Sequence, residues 1–164
     1  NTAKQLQGMV YIALPLCLLV IIRNPAGGGT DGMAWIFFLL CIIFAGDIGA
    51  YYVGSHLGRH KLCPRVSPGK TVEGAIGGIA GNLLVGAIFK ALFLPDLAWG
   101  PSLIFFILAG IAGQVGDLFE STLKRTSGIK DSGVVLPGHG GILDRIDALL
   151  FAAPVAYLFK VYLL

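Results

Sequence analysis

The chain has 164 residues, of which 55% are hydrophobic and only 13% are charged. Soluble domains carry about 25% charged residues, so the composition excludes an ordinary soluble domain and indicates an integral membrane protein. The formal net charge of +3 does not indicate a nucleic-acid partner, because the basic residues lie in loops beside apolar segments and form no long run.

Five segments are long and apolar enough to form membrane helices, since a bilayer core takes about 20 apolar residues per helix. They cover residues 6–22, 34–53, 75–94, 101–120 and 142–164. The sequence therefore predicts an all-α fold, a polytopic transmembrane helix bundle that forms one transmembrane domain over residues 1–164. Because the chain begins at Asn1 rather than at a methionine, we expect further N-terminal helices in a longer protein.

Basic residues concentrate in the loops after the second and fourth segments. These residues are Arg59, Lys61, Arg65 and Lys70 in the first loop, and Lys124, Arg125 and Lys130 in the second. Positively charged loops stay on the cytoplasmic side of a membrane. We therefore expect both loops to face the cytoplasm at the cell membrane, where soluble nucleotides are available.

Two polar elements lie near the first basic loop. Asp47 is near the end of the second segment, and a carboxylate at this depth favours a functional group over a structural hydrogen-bonded pair. The run Ser67-Pro68-Gly69-Lys70-Thr71 is not a Walker phosphate loop, because Pro64 stands where a glycine is needed and no strand is predicted ahead of it. It is either a phosphate-binding helix start or, as the spacing alone favours, an ordinary helix start with Ser67 as the cap.

Asp117 near the end of the fourth segment, Ser121 and Lys124 are spaced i, i+4 and i+7, so they lie on one helix if the fourth helix continues past residue 120. This spacing places a carboxylate, a hydroxyl and an ammonium group on one stripe of a helix. An alternative is a helix end anchored in lipid headgroups by Lys124 and Arg125. That alternative does not account for Asp117, which lies deeper in the segment, so the stripe indicates a functional site.

The stretch that follows ends in Pro137-Gly138-His139-Gly140-Gly141. Glycines here would let the backbone come close to a bound phosphate, and we expect His139 to provide a positioning hydrogen bond rather than catalysis. Asp144 and Asp147 are three residues apart and share a helix face. Paired carboxylates suit Mg²⁺, and Arg145 can pair with Asp147 or hold a phosphate.

The polar residues of this region resemble the signature of the phosphatidate cytidylyltransferases, the CDP-diacylglycerol synthases. The matching residues are Ser121, Lys124, Arg125, Lys130, Asp131, Gly133, Pro137, His139, Gly140, Gly141, Asp144, Arg145 and Asp147. The elements at 47–51 and 67–74 are also similar to ones found in these enzymes. The resemblance covers nearly the whole chain and corresponds to the C-terminal part of the family.

The resemblance implies transfer of a cytidylyl group from CTP to phosphatidate, giving CDP-diacylglycerol and pyrophosphate in phospholipid biosynthesis. Within that reaction we expect Asp117 and Asp144 to be the leading Mg²⁺ ligands, with Asp147 and Asp131 as further candidates for the same cation or a second one. The expected catalytic residues are Asp117, Asp131, Asp144, Asp147 and Lys124. The expected substrate-binding residues are Lys70, Ser121, Lys124, Arg125, Lys130, His139, Gly140, Gly141 and Arg145.

Two other functions remain open on the sequence. A CTP-dependent lipid kinase would also use CTP at a membrane but would release CDP instead of pyrophosphate. An ion-coupled transporter would also contain intramembrane carboxylates, although here the charges concentrate at one membrane face rather than at the midplane. Small residues four apart in the third segment, such as Gly74 with Gly78, predict close helix packing within the chain or in a homodimer.

Overall fold

The computed structural model describes residues 2–24, 32–129, 131–133 and 141–162. It contains five helices and one two-stranded hairpin: α1 (Thr2–Arg23), α2 (Gly32–Leu57), β1 (Lys61–Cys63), β2 (Ser67–Thr71), α3 (Val72–Phe93), α4 (Trp99–Thr126) and α5 (Leu143–Tyr162). All five predicted helices are therefore present, and the predicted all-α bundle is confirmed.

Four of the helices are long and apolar enough to cross a membrane, namely α1 from Gln5 onward, α2, α3 and α4. Helix α5 is not among them, because its 20 residues include Asp144, Arg145, Asp147 and Lys160. All five predicted segments thus form helices, and four of these helices have the length and composition of a membrane span. The charges of α5 are concentrated at its N-terminal end, where the polar site lies.

Helices α2 and α3 pack closely because glycines face one another across their contact. A Cβ atom at Gly77 would lie 2.5 Å from the Cβ of Val53, and one at Gly81 would lie 2.6 Å from the carbonyl oxygen of Ala45. Side chains larger than hydrogen would therefore force the two backbones apart. The glycine spacing predicted close packing, and the structure places this packing within the chain.

Aromatic side chains fill the core at the end of the bundle where α2 and α4 begin and α3 and α5 end. Trp35, Phe38, Phe105 and Phe106 are buried there, and the ring of Phe159 stacks on that of Phe105 with centroids 4.7 Å apart. Burying each aromatic ring removes about 150–250 Å² from solvent or lipid contact and gives this end a dense core. The opposite end contains the hairpin and the buried polar side chains of Thr71, Glu120 and Asp147.

The hairpin between α2 and α3 corrects the prediction for residues 67–70. Ser67 lies in β2, which pairs antiparallel with β1, so it is not a helix cap. The cap of α3 is Thr71, whose hydroxyl accepts a hydrogen bond of 3.1 Å from the backbone N–H of Gly74. The prediction that no strand comes before the Gly-Lys-Thr run was also wrong, because β1 precedes it.

Candidate active site

A cavity of about 480 Å³ opens between α2, the hairpin, α3 and α4. Its walls carry both polar and apolar groups, including Asp47, Tyr51, Lys70, Gln114 and Asp117. All of these elements meet at the end of the bundle where α2 and α4 end and α3 begins. The helix connections therefore bring residues from distant parts of the sequence to one polar cavity.

Asp117 and Lys70 form an ion pair in this cavity, with Lys70 Nζ 2.5 Å from Asp117 Oδ2. Ser121, which the spacing placed on the same helix stripe as Asp117, donates a long hydrogen bond of 3.4 Å to the other carboxylate oxygen of Asp117. Asp47 lines the same cavity as Asp117 and Lys70. The ammonium of Lys70 thus stabilises the Asp117 carboxylate in a cavity that contains a second carboxylate.

Lys124 forms the centre of a second polar cluster. Its Nζ lies 2.5 Å from Oε2 of Glu120 and 2.7 Å from Oδ1 of Asp144. The Glu120 side chain is only 1% exposed and that of Asp144 only 9% exposed. One largely buried cation is therefore shared by two carboxylates on different helices, which joins the end of α4 to the start of α5.

The other oxygen of Asp144 binds the segment that precedes α5. Asp144 Oδ2 accepts hydrogen bonds from the Ser132 N–H (2.9 Å), the Ser132 hydroxyl (2.8 Å) and the Gly141 N–H (2.7 Å). A side chain on Gly141 would collide with Ser132. Gly141 was predicted to contact substrate, and the structure shows its backbone N–H bonded to Asp144.

Asp147 has different partners from Asp144, although both lie in the first two turns of α5. Asp147 is buried, and its Oδ1 accepts a 2.8 Å hydrogen bond from the N–H of Ala148. The backbone of Asp147 packs against Gly116, the neighbour of Asp117 in α4, because a Cβ on Gly116 would lie 2.6 Å from the carbonyl oxygen of Asp147. The structure therefore brings carboxylates from α2, α4 and α5 together.

The remaining predicted site residues lie at the edge of these clusters or beyond the described parts of the chain. Asp131 and Arg145 are exposed. Arg125 is also exposed, and its Nε donates a 3.4 Å hydrogen bond to the carbonyl oxygen of Val66 in the hairpin turn. The further predicted residues Lys130, His139 and Gly140 lie outside the described residues.

Glu120 is the main site residue that the sequence interpretation missed, since it was used only to mark the end of the fourth segment. Its position three residues after Asp117 and four before Lys124 would have placed it near both. Gln114 was missed as well, and its Nε2 donates a 2.9 Å hydrogen bond to the carbonyl oxygen of Ala75 at the cavity wall. Spacing indicates which residues share a helix side, but not which of them become buried.

The carboxylates fit Mg²⁺ by their chemistry, because this ion prefers oxygen ligands and is often held by one or two carboxylates together with substrate phosphates and water. The described residues contain no group of three or more His, Cys, Asp or Glu side chains that could hold an ion. Both oxygens of Asp144 accept hydrogen bonds. Asp117 also has a partner at each oxygen, Lys70 at Oδ2 and a long contact from Ser121 at Oδ1. The metal assignment stays a prediction.

Comparison with known proteins identifies the family. The model of the cytidylyltransferase family matches residues 1–163, nearly the whole chain. The chain belongs to this family. The matched region includes both polar clusters and the hairpin, so the residues described above lie within the family domain rather than in an unrelated insertion.

Among its relatives, the chain is 43% identical over 148 residues to the phosphatidate cytidylyltransferase of Bacillus subtilis (strain 168), covering 90% of this chain and 54% of that protein. It is 43% identical over 152 residues to the phosphatidate cytidylyltransferase of Brucella suis biovar 1 (strain 1330), covering 93% and 55%. It is also 45% identical over 142 residues to the uncharacterized protein YnbB of Escherichia coli (strain K12), covering 87% and 47%. The chain thus spans about half the length of the curated relatives it matches.

Proposed function

We propose that the protein containing this chain transfers a cytidylyl group from CTP to phosphatidate, giving CDP-diacylglycerol and pyrophosphate. The observation that carries the proposal is the meeting of carboxylates and lysines from α2, the hairpin, α4 and α5 at one end of a family member's membrane bundle. Nucleotidyl transfer needs positioned cations for phosphates and carboxylates for a divalent ion, which are the two kinds of group found here.

In the proposed reaction, a phosphate oxygen of phosphatidate forms a bond to the α-phosphorus of CTP. The bond from that phosphorus to the oxygen leading to the β-phosphorus breaks, and pyrophosphate leaves with that oxygen. Lys70 and Lys124 each have a carboxylate partner in the structure, and a substrate phosphate can replace it. Exposed Arg125 and Arg145 border the same region and add positive charge for the triphosphate.

We assign Asp117, and with it Asp144, as the residues that would hold Mg²⁺, while Asp147 and Asp131 stay further candidates. A bound Mg²⁺ would neutralise phosphate charge and polarise the phosphoryl group. The ion pair with Lys70 and the long contact from Ser121 hold the two oxygens of the Asp117 carboxylate from different sides. Burial of Asp144 among Lys124, Ser132 and Gly141 likewise holds its carboxylate in one orientation.

The membrane character of the chain fits a reaction between a lipid and a soluble nucleotide. The hairpin and the end of α4 carry the basic residues of both loops, and the contact between Arg125 and Val66 joins them at one end of the bundle. The positive-inside rule supports placing this end in the cytoplasm at the cell membrane. There CTP can enter the cavity from solution and phosphatidate from the bilayer.

A direct test is the conversion of radiolabelled phosphatidate by the full-length protein in detergent with CTP and Mg²⁺. We expect CDP-diacylglycerol and pyrophosphate as products, and a loss of at least about 100-fold in kcat for Asp117→Asn, because removing one electrostatic contact at a reacting phosphate has effects of this size. Asp96→Asn is the matched control, since Asp96 is an exposed carboxylate between α3 and α4, at the other end of the bundle.

The same assay separates the alternatives. Release of CDP with a phosphorylated lipid would replace this proposal with a CTP-dependent lipid kinase. Transport of a solute or ion into proteoliposomes without CTP consumption would favour a transporter. The relatives named phosphatidate cytidylyltransferase support the cytidylyl transfer over both.

A further inference from the structure

Glu73 in the first turn of α3 binds a segment that lies 13 to 14 residues earlier in the chain. Its Oε2 accepts hydrogen bonds from the backbone N–H groups of Arg59 (3.1 Å) and His60 (3.2 Å). Its Oε1 lies 2.5 Å from Nδ1 of the His60 ring. One carboxylate thus joins the start of α3 to the segment that leads from α2 into the hairpin.

These contacts lie at the base of the hairpin. The backbone N–H of Val72 donates to the carbonyl oxygen of His60 at 2.9 Å, and Lys61 is the strand partner of Thr71. Lys70 is the neighbour of Thr71 in β2, so it lies one residue from this base. The position of the Lys70 side chain therefore depends on how firmly the base of the hairpin is held.

The hairpin needs such an anchor because it is very short. Its two strands have three and five residues, with a register irregularity between Lys61 and Cys63. A two-stranded hairpin on its own is marginally stable at best. At the other end of the hairpin, the described contact with α4 is the 3.4 Å hydrogen bond from Arg125 to Val66, which is longer than the bonds to Glu73.

We propose that Glu73 is a positioning residue that fixes the base of the hairpin and thereby holds Lys70 against Asp117 in the cavity. An acidic residue in the first turn of a helix can also act only by interacting with the helix dipole. Interaction with the helix dipole alone would not require the three contacts that the Glu73 carboxylate makes with Arg59 and His60 before β1. It also predicts no effect of Glu73 on the environment of Lys70, so the two roles can be separated by experiment.

The first arm of the test measures the reactivity of Lys70 and does not depend on any enzymatic activity. The full-length protein in detergent is treated with a water-soluble acylating reagent, and modification of each lysine is followed by mass spectrometry. Lys70 is partly buried and paired with Asp117, whereas Lys61 in β1 is exposed and serves as the internal reference. We expect Glu73→Ala to raise the rate of Lys70 modification several-fold relative to Lys61.

Glu73→Gln is the conservative variant for this arm. A glutamine keeps one oxygen that can accept the backbone N–H bonds of Arg59 and His60 but loses the negative charge that faces the His60 ring. We expect its Lys70 reactivity to lie between that of the original protein and that of Glu73→Ala. His60→Ala, which removes only the ring contact, should also give an intermediate value and keeps the test available if Glu73→Ala does not fold.

The second arm rests on the proposed function and uses phosphatidate conversion. We expect Glu73→Ala to lower kcat/KM by about 10- to 100-fold, since misplacing a group near the reaction by about 1 Å can have effects of this size. Whichever kinetic parameter changes in Lys70→Ala, KM or kcat, should also be the one that changes in Glu73→Ala. The double variant should be no worse than Lys70→Ala alone, because Glu73 acts through Lys70. Asp96→Ala, which removes an exposed carboxylate at the other end, should leave the kinetics unchanged.

Two results would overturn the positioning role. One is an unchanged ratio of Lys70 to Lys61 modification in Glu73→Ala. The other is a double variant whose loss of activity equals the product of the two single losses, as expected for independent effects. If the original protein does not convert phosphatidate, the proposed function fails, but the modification arm still decides whether Glu73 holds Lys70 in place.

Discussion

Replacing Lys124 by methionine should destabilise the protein more than any exposed ion pair could explain. Lys124 is the ion-pair partner of Glu120, whose side chain is 1% exposed, and of Asp144, whose side chain is 9% exposed. Asp144 would keep the donors from Ser132 and Gly141. Glu120 has no such second set of donors: its side chain is buried, and apart from the Lys124 ion pair no described residue donates a hydrogen bond to its oxygens. The substitution would thus leave one buried carboxylate uncompensated.

Breaking a buried ion pair in this way costs about 3 to 5 kcal/mol, whereas an exposed pair contributes about 0.2 to 1 kcal/mol. The larger value is a substantial part of the ~5 to 15 kcal/mol by which a typical domain is stable. We expect Lys124→Met to lower the free energy of unfolding by this larger amount, measured by reversible SDS titration in mixed micelles with tryptophan fluorescence. Lys61→Met, at an exposed lysine of β1, is the matched control with little expected change.

The second substitution Glu120→Gln should recover most of the stability lost in Lys124→Met, because it removes the uncompensated charge. Glu120→Gln alone is the control for this double variant, since it shows the effect of the neutral side chain while Lys124 is present. Phosphatidate conversion should stay low in the double variant, because the phosphate-binding ammonium is still missing. A loss below about 1 kcal/mol for Lys124→Met, the size expected of an exposed pair, would refute the burial argument.

Three further predictions concern Asp144, the packing of Gly110 against Asn82, and the metal ion. Asp144→Asn should lower the free energy of unfolding by about 1 to 3 kcal/mol, because an amide nitrogen cannot accept a hydrogen bond that the carboxylate oxygen accepted, and conversion of phosphatidate should be lost in the same preparation. Gly110→Ala should lower the free energy of unfolding by about 1 to 3 kcal/mol, because the new methyl group overpacks against the Asn82 amide. This loss should disappear in an Asn82→Ala background. Gly8→Ala is the control and should not destabilise the protein, because nothing lies within 4 Å of its new methyl group. Chelation with EDTA should abolish the conversion of phosphatidate, and added Mg²⁺ should restore it. Asp117→Asn should need a higher Mg²⁺ concentration than the original protein to reach half of its maximal rate. Full activity in EDTA would refute the metal assignment.

The helix ends show how far composition alone predicts this fold. Hydropathy predicted that the fourth segment ends at residue 120, whereas the spacing of the polar residues placed Lys124 on the same helix as Asp117, and α4 does continue to Thr126. The prediction stopped where apolar residues stop, whereas backbone hydrogen bonds continue a helix through polar residues whose side chains have partners. Those extra turns carry Lys124 and Arg125, so the part of α4 that the hydrophobic pattern missed contains residues of the candidate site.

The hairpin shows a different limit. Its strands have three and five residues, and β2 contains Pro68 and Gly69, which is a poor strand pattern. A further proline, Pro64, lies in the turn between the strands. Contacts with other parts of the chain support it: Glu73 at the start of α3 accepts hydrogen bonds from Arg59 and His60 after α2, and Arg125 of α4 contacts its turn. No local pattern in residues 61–71 could predict contacts supplied by residues outside it.

The sequence by itself determined that the chain forms apolar helices and that Asp117, Ser121 and Lys124 share one side of a helix, because hydropathy and helical periodicity are local properties. Only the tertiary structure decided that Lys70 pairs with Asp117, that Lys124 is shared by Glu120 and Asp144, and that Glu73 contacts the base of the hairpin. Apart from the Glu120–Lys124 pair within α4, these pairings join residues on separate elements, and their strength depends on burial. Burial is a property of the packed bundle, since it is the neighbouring helices that exclude solvent from each charge.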